Sequence, residues 1–493
     1  MTSRVPALAE RTAESPVRTR RRVQTSGALR VGVLAIVAAW AVWQAFWRLG
    51  AANVTADEKL YAQAGVAYLH GDFSLNREHP PFGKYLFGLA QLVAGDGVFQ
   101  ARIVVALALL AGGAIIFVWL RREIGWWGAL LGAGTWWVAP HYGFGTRIER
   151  FAILDPLMTF FMIAALAAAW WWIRSDRWWW AAASGAVMAM SVTTKVSTVV
   201  VLPAFLVLPI LFRRWRALLV GGAIWAGTFT AVFVGLYLPM GIRSAITYML
   251  KFQEGQQTNG HPVQIAGMTY AHSPWWGNLW FLEQGATLPV LVVLAIGVLA
   301  AALVYPGRLV AFLGLALACL SVFYLGVAKI ALSTYYFPFL PLLVLLSAIG
   351  YAQLARRWRW TVAVGVAGAL VTAFMAVGVS SQVAQEQPRG IALIERRLDA
   401  WGVNPTHVLF QAYPPFGYGP YFPDGTMDTR KGPFTAIVVG SDQRFPVQSK
   451  VTAFLKQERG ELDHATVDGF EVWAPRDGVI EDTPQGMQIH HTP

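Results

Sequence analysis

The chain contains eleven apolar segments that are long enough, or nearly long enough, to cross the hydrocarbon core of a membrane. A spanning helix needs about 20 mostly apolar residues, and about 17 is the lower end of the range. Charged residues make up 13% of the chain, about half of the roughly 25% that is usual in soluble domains. We therefore predict an α-helical polytopic membrane protein with about 11 transmembrane helices. The segments are residues 31–47, 103–120, 126–140, 151–173, 178–192, 196–212, 217–238, 286–305, 309–327, 335–351 and 360–379.

Arginine residues alternate with these segments in a way that predicts the orientation of the chain. If the N-terminus is cytoplasmic, every second connection is cytoplasmic, and each of these short loops contains arginine, as the positive-inside rule requires. The pattern explains much of the net charge of +12 without nucleic acid as a partner. We predict a multi-pass protein of the plasma (inner) membrane with an extracytoplasmic C-terminal domain. The arginines are Arg121, Arg122, Arg174, Arg177, Arg213, Arg214, Arg216, Arg308, Arg356, Arg357 and Arg359.

Three regions follow one another along the chain. Residues 1–30 hold seven arginines and are predicted to form a disordered basic cytoplasmic tail. Residues 31–384 form the transmembrane domain, with two long outer loops at 48–102 and 239–285. Residues 385–493 are predicted to form a small extracytoplasmic α/β domain, because helical and alternating apolar patterns follow each other there. The predicted elements are helices at 389–400 and 447–458 and strands at 407–411, 434–439 and 470–473.

Acidic and basic side chains collect in the predicted outer loops. Asp57 and Glu58 follow the first apolar segment, and residues 78–84, with the sequence EHPPFGK, add an acid, a histidine and a lysine. The double proline stiffens this stretch and limits the directions of its neighbours. Lys195 lies between two apolar segments, where a lysine costs roughly 2.5–3.5 kcal/mol to insert. It is therefore a candidate for function, with snorkelling to the interface as the alternative.

The order of these motifs resembles that of the protein O-mannosyltransferases and the related lipid A aminoarabinose transferases. Both are membrane glycosyltransferases of C type, which use polyprenyl-phosphate sugars as donors. The resemblance extends over roughly residues 30–350 and implies the same fold and reaction class. The motifs are Asp57-Glu58, EHPPFGK at 78–84, Ala101-Arg102-Ile103, RFAILDP at 150–156, TKVS at 194–197, the loop 260–276 and YYFPFLP at 335–341.

The resemblance implies roles for individual side chains. Asp57 corresponds to the general base, which takes the proton of the acceptor hydroxyl and gives inversion at the anomeric carbon. Glu58 and Asp155 complete the predicted catalytic group. The side chains predicted to bind the donor phosphate are Lys195, Arg102, His79 and Lys84. Those predicted to contact the acceptor or the sugar are Glu78, Trp275 and Trp276; Arg102 and both tryptophans could instead anchor the chain at the membrane interface.

Sugar, acceptor and metal are less constrained by the sequence. Mannose is the favoured sugar, because residues 78–84 are more similar to the mannosyltransferases, and the acceptor is a protein, a lipid or a polysaccharide. The partners implied are the lipid donor, this acceptor and membrane lipids. No cofactor is identified by the motifs, although a divalent cation could bind oxygen ligands here. Glu78 and His261 are the metal candidates, with ordinary loop hydrogen bonding as the alternative.

Two other classes of function are weighed against the enzyme. A transporter or lipid-linked sugar flippase would place its charged groups near the bilayer midplane, often within repeated halves. Here the acids and Lys195 lie near one face of the membrane, and the sequence shows no internal repeat. A non-catalytic scaffold gives no reason for Asp57, Glu78, Asp155 and Lys195 to share that face. A glycosyltransferase is therefore the favoured interpretation, with transport as the alternative.

Overall fold

The computed structural model describes residues 27–304, 306–412, 419–440 and 446–491. All eleven predicted apolar segments contain helix, because runs of apolar residues in lipid must satisfy their backbone polar groups internally. Residues 27–30 belong to the first helix, which corrects the predicted limit of the basic tail; residues 1–26 lie outside the described ranges. The helices up to residue 384 are α1 (Gly27–Phe46), α2 (Ala56–Leu69), α3 (Phe82–Ala94), α4 (Val98–Glu123), α5 (Trp126–Val138), α6 (Leu154–Ser175), α7 (Trp178–Thr194), α8 (Leu202–Leu211), α9 (Gly222–Tyr237), α10 (Ile242–Asn259), α11 (Gly277–Ala286), α12 (Leu288–Val304), α13 (Arg308–Ser321), α14 (Phe339–Arg357) and α15 (Val362–Ala384).

Seven helices in the described ranges are long and apolar enough to cross a membrane. An eighth is added if α11 and α12, which meet at an angle of 104°, form one broken span. The bend lies at Thr287, whose φ of 69° ends α11. Helices α5 and α7, with 13 and 17 residues, and the apolar stretch Val196–Leu211 are shorter. The polytopic helical fold is thus confirmed, while eleven crossings stays a prediction.

The loops with candidate functional residues meet at one end of the helix bundle, which we call the loop end. It contains α2, α3 and two short hairpins, β1–β2 (Tyr142–Gly143 and Thr146–Arg147) and β3–β4 (Val263–Ile265 and Met268–Tyr270). The Tyr336 hydroxyl donates to the Tyr142 carbonyl at 2.8 Å, which joins the start of α14 to this end. Arginine-rich loops contact one another elsewhere: Arg214 lies 3.6 Å from Asp176. The predicted orientation makes the loop end extracytoplasmic.

The C-terminal region forms a four-stranded mixed sheet with two helices. The strand order is β5-β6-β8-β7, in which β5 and β6 are parallel and the other pairs are antiparallel. The predicted helices and strands all occur, whereas β7 and a following hairpin were not predicted. Strand β7 lies at the edge of the sheet, and its polar alternation, LDHATV, is weaker as a strand pattern than a buried apolar run. The elements are α16 (Ile391–Ala400), β5 (Val408–Gln411), β6 (Ala436–Val439), α17 (Ser449–Gln457), β7 (Leu462–Val467), β8 (Phe470–Pro475), β9 (Val479–Thr483) and β10 (Gly486–His490).

The C-terminal region is held against the segment that leads into α2. Asn53 and Arg389 exchange two hydrogen bonds, from Asn53 Nδ2 to the Arg389 carbonyl at 2.8 Å and from Arg389 N to Asn53 Oδ1 at 3.0 Å. Val54 N donates to the Tyr421 hydroxyl at 2.6 Å. The ammonium of Lys59, in the first turns of α2, donates to the neighbouring Pro420 carbonyl at 2.6 Å. The sheet domain therefore contacts the chain immediately before Asp57.

Candidate functional site

The first turn of α2 directs the side chains of the adjacent acids Asp57 and Glu58 to different sides of the helix. Thr55 is the N-cap residue: its hydroxyl accepts from Glu58 N at 3.4 Å, and Glu58 Oε2 accepts from Thr55 N at 3.0 Å. This reciprocal capping box turns the Glu58 side chain back toward the start of the helix. Successive residues of a helix point about 100° apart, so Asp57 faces a different direction. The two carboxylates consequently have different surroundings.

Glu58 is completely buried and fully hydrogen bonded. Its Oε1 accepts from Arg102 Nε at 2.7 Å and from Ala152 N at 2.7 Å, and its Oε2 accepts from Arg102 Nη2 at 2.8 Å. Arg102 directs its remaining N–H groups at the carbonyls of Leu49, Ala52 and Asn53, at 2.9–3.0 Å. All five donors of this guanidinium are therefore used inside the protein. The pair fastens α1, α2, α4 and the loop before α6 to one another.

Asp57 keeps an accessible carboxylate at the other side of this turn. Its side chain is exposed, and no hydrogen bond or ion pair joins it to another described residue. The surrounding protein nevertheless desolvates the carboxylate enough to raise the pKa of Asp57, an effect that nearby Lys195 opposes and nearby Asp155 and Glu78 reinforce. A carboxylate with a raised pKa and free lone pairs is suited to accept a proton.

Asp155 and Lys195 form a buried ion pair next to Asp57. Lys195 Nζ lies 2.7 Å from Asp155 Oδ1 and 2.8 Å from Oδ2, and it also lies 4.5 Å from the centre of the Tyr335 ring. Asp155 is in the first turn of α6, and Lys195 follows the last residue of α7. The lysine side chain retains 12% exposure. One ammonium N–H is left for an external acceptor, since the carboxylate takes two of three.

The loop before α3 is organised around Lys84. Its buried ammonium donates to the carbonyls of Asn76 and His79, at 2.5 and 2.8 Å, to Asn76 Oδ1 at 3.0 Å and to the Tyr68 hydroxyl at 3.0 Å. Burial lowers the pKa of Lys84 to about 7, whereas neighbouring Glu78 favours its charged form. Because its donors bind loop oxygens, Lys84 fixes the shape of residues 76–81.

Glu78 and His79 are presented by this loop. Glu78 Oε1 accepts from Asn76 Nδ2 at 2.7 Å, and the carboxylate is close enough to influence the charge of Asp57. The His79 ring packs edge-on against Tyr61, with 5.8 Å between the ring centres. Desolvation, followed by the charges of Lys195 and Lys84, lowers the pKa of His79 to about 3. His79 is therefore a neutral hydrogen-bonding group and not a cation.

The other predicted site residues make no hydrogen bond, ion pair or ring contact with this cluster among the described residues. Trp275 is 67% exposed, and Trp276 packs against Tyr270 with 6.3 Å between ring centres. His261 is exposed and its backbone N–H binds the Ala271 carbonyl at 2.7 Å. Within the ranges that the structure describes, no three His, Cys, Asp or Glu side chains are grouped to hold a metal ion. Glu78 and His261 thus do not belong to such a group.

A second buried network lies behind the site and was not anticipated. Arg147 contacts Glu149 and the side-chain oxygen of Gln44, and it donates to the Trp137 carbonyl at 3.0 Å. Burial alone would raise the pKa of Glu149, but Arg147 and His141 lower it to about 2. The short spacing of charges in the sequence HYGFGTRIER was the available signal, because a charged loop between two apolar helices must find partners.

Arg150 connects this region to the root of the C-terminal region. Its Nε and Nη2 donate to Glu386 Oε2 at 3.0 and 2.7 Å. Nη1 donates to the Gln44 carbonyl at 2.6 Å, and Nη2 also donates to the Trp47 carbonyl at 2.7 Å. These carbonyls belong to the last turn of α1 and the residue after it, so Arg150 caps that helix end. The α1 end, the loop before α6 and the end of α15 are thereby held together.

The sequence matches a family model over a third of its length. Residues 78–240 match the model described as dolichyl-phosphate-mannose-protein mannosyltransferase. This range contains the EHPPFGK loop, Asp155 and Lys195. A search of curated proteins found no sequence that matches the chain.

Solved structures with the same fold cover nearly the whole chain. The ArnT protein of Cupriavidus metallidurans, solved with bound undecaprenyl phosphate, has a TM-score of 0.58 and 16% identity, covering 91% of this chain and 97% of its own. The oligosaccharyltransferase of Archaeoglobus fulgidus, tethered to an acceptor peptide with an NVT sequon, has a TM-score of 0.55 and 11% identity, covering 95% and 74%. At these identities the likeness concerns the fold. The chain therefore resembles the C-type membrane glycosyltransferases in fold and, over residues 78–240, in sequence.

Proposed function

We propose that this chain, which resembles the C-type membrane glycosyltransferases, transfers a sugar from a polyprenyl-phosphate donor to an acceptor hydroxyl at the loop end. The observation that carries the proposal is the accessible Asp57 carboxylate beside the buried Lys195–Asp155 pair. A proton acceptor and a nearby cation are the groups that displacement of a phosphate by a hydroxyl requires. The family model and the ArnT fold support the same reaction class.

In the proposed reaction, the acceptor oxygen attacks the anomeric carbon of the donor sugar. As the new C–O bond forms, the bond from that carbon to the phosphate oxygen breaks and the phosphate takes the electron pair. Asp57 receives the hydroxyl proton. Attack from the side opposite the phosphate is a single displacement, so the sugar is transferred with inversion. Mannose is the favoured sugar, which rests on the description of the family model and on the EHPPFGK motif.

Lys195 is the proposed ligand of the donor phosphate. Its free N–H can reach an anion while Asp155 holds the ammonium in place, and the Tyr335 ring supports it from another side. His79 can add a neutral N–H to the same oxygen atoms. Asp155 is then a positioning residue for Lys195, with a role in orienting the acceptor as a further proposal.

Arg102, Glu58 and Lys84 are proposed to organise the site without touching the substrate. The donors of Arg102 and Lys84 are directed at protein oxygens, so binding phosphate would first require breaking these hydrogen bonds. Glu58 likewise has both oxygens occupied and is poorly suited to be a base. Of the predicted catalytic and phosphate-binding residues, the proposal therefore keeps Asp57 as the base and Lys195 and His79 as the groups that contact the donor phosphate.

The position of the charges argues against transport. Asp57, Asp155 and Lys195 lie at the ends of α2, α6 and α7, whereas transporter sites lie near the bilayer midplane. A loop end facing outward in the plasma membrane suits a donor and an acceptor that meet outside the cytoplasm.

Turnover by the purified protein tests the proposed function. Labelled polyprenyl-phosphate mannose and the corresponding glucose, galactose and pentose donors are each supplied with a membrane-extract acceptor pool, and the product is analysed for anomeric configuration. We expect label to pass to an acceptor from one of these donors with inverted configuration. Absence of transfer from all of them, together with donor movement across proteoliposome membranes, would support the transport alternative.

Replacing Lys195 is expected to weaken donor binding. Lys195→Met removes the ammonium and should raise the donor KM by roughly ten- to a hundredfold, because a hydrogen bond to a charged group contributes about 1.5–3 kcal/mol. Lys195→Arg should recover part of this loss. Lys251→Met, which removes an exposed lysine on α10, is the matched control. An unchanged donor KM in Lys195→Met would rule out the phosphate contact.

The pH profile should report the raised pKa of Asp57. Only the ionised carboxylate accepts a proton, so kcat/KM should fall as pH decreases through this pKa, at a pH above the ordinary value of 3.8. Lys195 lowers the pKa of Asp57, and therefore Lys195→Met should move the acid limb to higher pH. Asp72→Asn, in the same loop, should leave the limb in place. A limb that is identical in wild type and Lys195→Met would contradict this assignment.

A further inference from the structure

A cavity of about 850 Å³ lies on the side of α2 that faces away from the catalytic cluster. It is bounded by α2, by the start of α4 and by the C-terminal region, through Glu395, Pro420 and Tyr421. Its volume is within the range of roughly 300–1,000 Å³ that is typical of ligand pockets. Neither Asp57 nor Lys195 lines it. The proposed transfer reaction therefore leaves this cavity without a role.

The lining is mostly apolar, and it also contains polar groups without partners beside one exposed ring. Glu395 is half-buried and has no hydrogen bond or ion pair to another described residue. Burial raises the pKa of Glu395, an effect that nearby Lys59 opposes. The buried Gln100 side-chain oxygen also lacks a partner. Such groups are costly unless hydrogen bonds satisfy them. Phe99 is 48% exposed beside them and offers an apolar ring face.

These groups select among classes of ligand. An anionic lipid headgroup would meet the carboxylates of Glu395 and the exposed Asp96. Of the two cations in the lining, Arg102 is neutralised by Glu58. The other, Lys59, donates to the Pro420 carbonyl and lies in the field of Glu395. A lipid chain would leave the polar groups desolvated and unsatisfied. A neutral polyhydroxylated ligand satisfies them, because its hydroxyls can donate to the carboxylate and amide oxygens while its C–H face packs on Phe99.

We propose that this cavity binds a neutral oligosaccharide, and that the acceptor of the reaction is a glycan whose inner sugars occupy it. The second part rests on the proposed transfer function. Lys59 lines the cavity in the same helical turn that presents Asp57 on another face of α2. The two faces are separated by the width of one helix, about 10 Å. A short glycan can span that distance, so its terminal hydroxyl can reach Asp57.

The C-terminal region has a defined part in this arrangement. It supplies Glu395 and Tyr421 to the cavity, and it is fastened to the chain before Asp57 by the Tyr421 hydroxyl and the Pro420 carbonyl, which accept from Val54 N and Lys59 Nζ at 2.6 Å. In the proposed arrangement, the C-terminal region therefore supplies part of the lining of the acceptor subsite.

Direct binding tests the cavity independently of turnover. The purified full-length protein is titrated with short manno-, gluco-, galacto- and arabino-oligosaccharides, with undecaprenyl phosphate as the anionic lipid probe, by calorimetry and saturation-transfer NMR. We expect one neutral series to bind. Glu395→Gln and Phe99→Ala should each raise its Kd by roughly tenfold, as the loss of one well-placed contact predicts. Asp399→Asn removes the same charge from an exposed position on α16 and should bind normally. Absence of binding by every neutral series, or binding that both cavity variants leave unchanged, would overturn the proposal.

Turnover separates this proposal from the transfer function. Asp57→Asn should bind the oligosaccharide as wild type does, and Glu395→Gln should raise the acceptor KM while leaving the donor KM unchanged. Transfer to a non-glycan acceptor that both cavity variants leave unaffected would contradict the proposed acceptor subsite but support the proposed transferase activity. Oligosaccharide binding without transfer from any donor would contradict the proposed transferase activity but support the proposed oligosaccharide site.

Discussion

Asp57→Asn is expected to reduce transfer by about 10²–10⁴-fold, the usual contribution of a general base. Asparagine has nearly the same shape but cannot accept the acceptor proton at neutral pH. The Asp57 side chain is exposed and has no hydrogen-bonding partner among the described residues, so the substitution removes no hydrogen bond that stabilises the fold. The loss should therefore be in kcat, with the donor KM nearly unchanged. Initial rates at saturating donor measure it directly.

Two companion variants make this result interpretable. Asp72→Asn neutralises an exposed acid in the same outer loop and should retain full activity. Thermal unfolding of Asp57→Asn in detergent should match wild type, since the buried neighbour Glu58 is unaltered. If Asp57→Asn retains activity within a fewfold of wild type, another group takes the proton, and Glu78, on the neighbouring loop, becomes the first to test.

The sequence was most informative where lipid imposes the strongest constraint. Long apolar runs in α4, α6 and α14 predict membrane helices, because backbone polar groups in lipid must bond within the segment, and the arginines between the runs predict their orientation. It was less informative where a helix breaks. The 104° bend at Thr287 between α11 and α12 depends on a residue with positive φ, which an apolar run conceals. Counting spans from apolar length alone is therefore uncertain at such breaks.

The candidate site was predicted as a set of residues but not as a set of roles. Asp57 and Glu58 are adjacent in sequence and chemically alike, yet one is accessible and the other is completely buried. The capping-box pattern of Thr55 followed by Glu58 was a readable signal for this difference. No comparable sequence pattern predicts that the Arg102 guanidinium donates to the carbonyls of Leu49 and Ala52, because these partners lie 53 and 50 residues away in the chain.

Arg102→Leu is expected to destabilise the protein by about 3–5 kcal/mol, the usual cost of removing one partner from a buried ion pair. The substitution leaves the Glu58 carboxylate at 0% exposure without its two guanidinium hydrogen bonds. It also frees the carbonyls of Leu49, Ala52 and Asn53. Thermal unfolding in detergent should show a lower Tm, and activity should fall with it, because Glu58 also holds Ala152, three residues before Asp155.

A double-variant cycle distinguishes the ion pair from simple loss of packing. Glu58→Leu combined with Arg102→Leu removes both charges, so the double variant should be less destabilised than the sum of the two single variants. Arg121→Leu, at the exposed far end of the same helix α4, should unfold at the wild-type temperature. Additive effects in the cycle would mean that the two side chains act independently. A coupled loss would instead establish Arg102 as the residue that keeps the α2 turn, and with it Asp57, in place against the loop that carries Asp155.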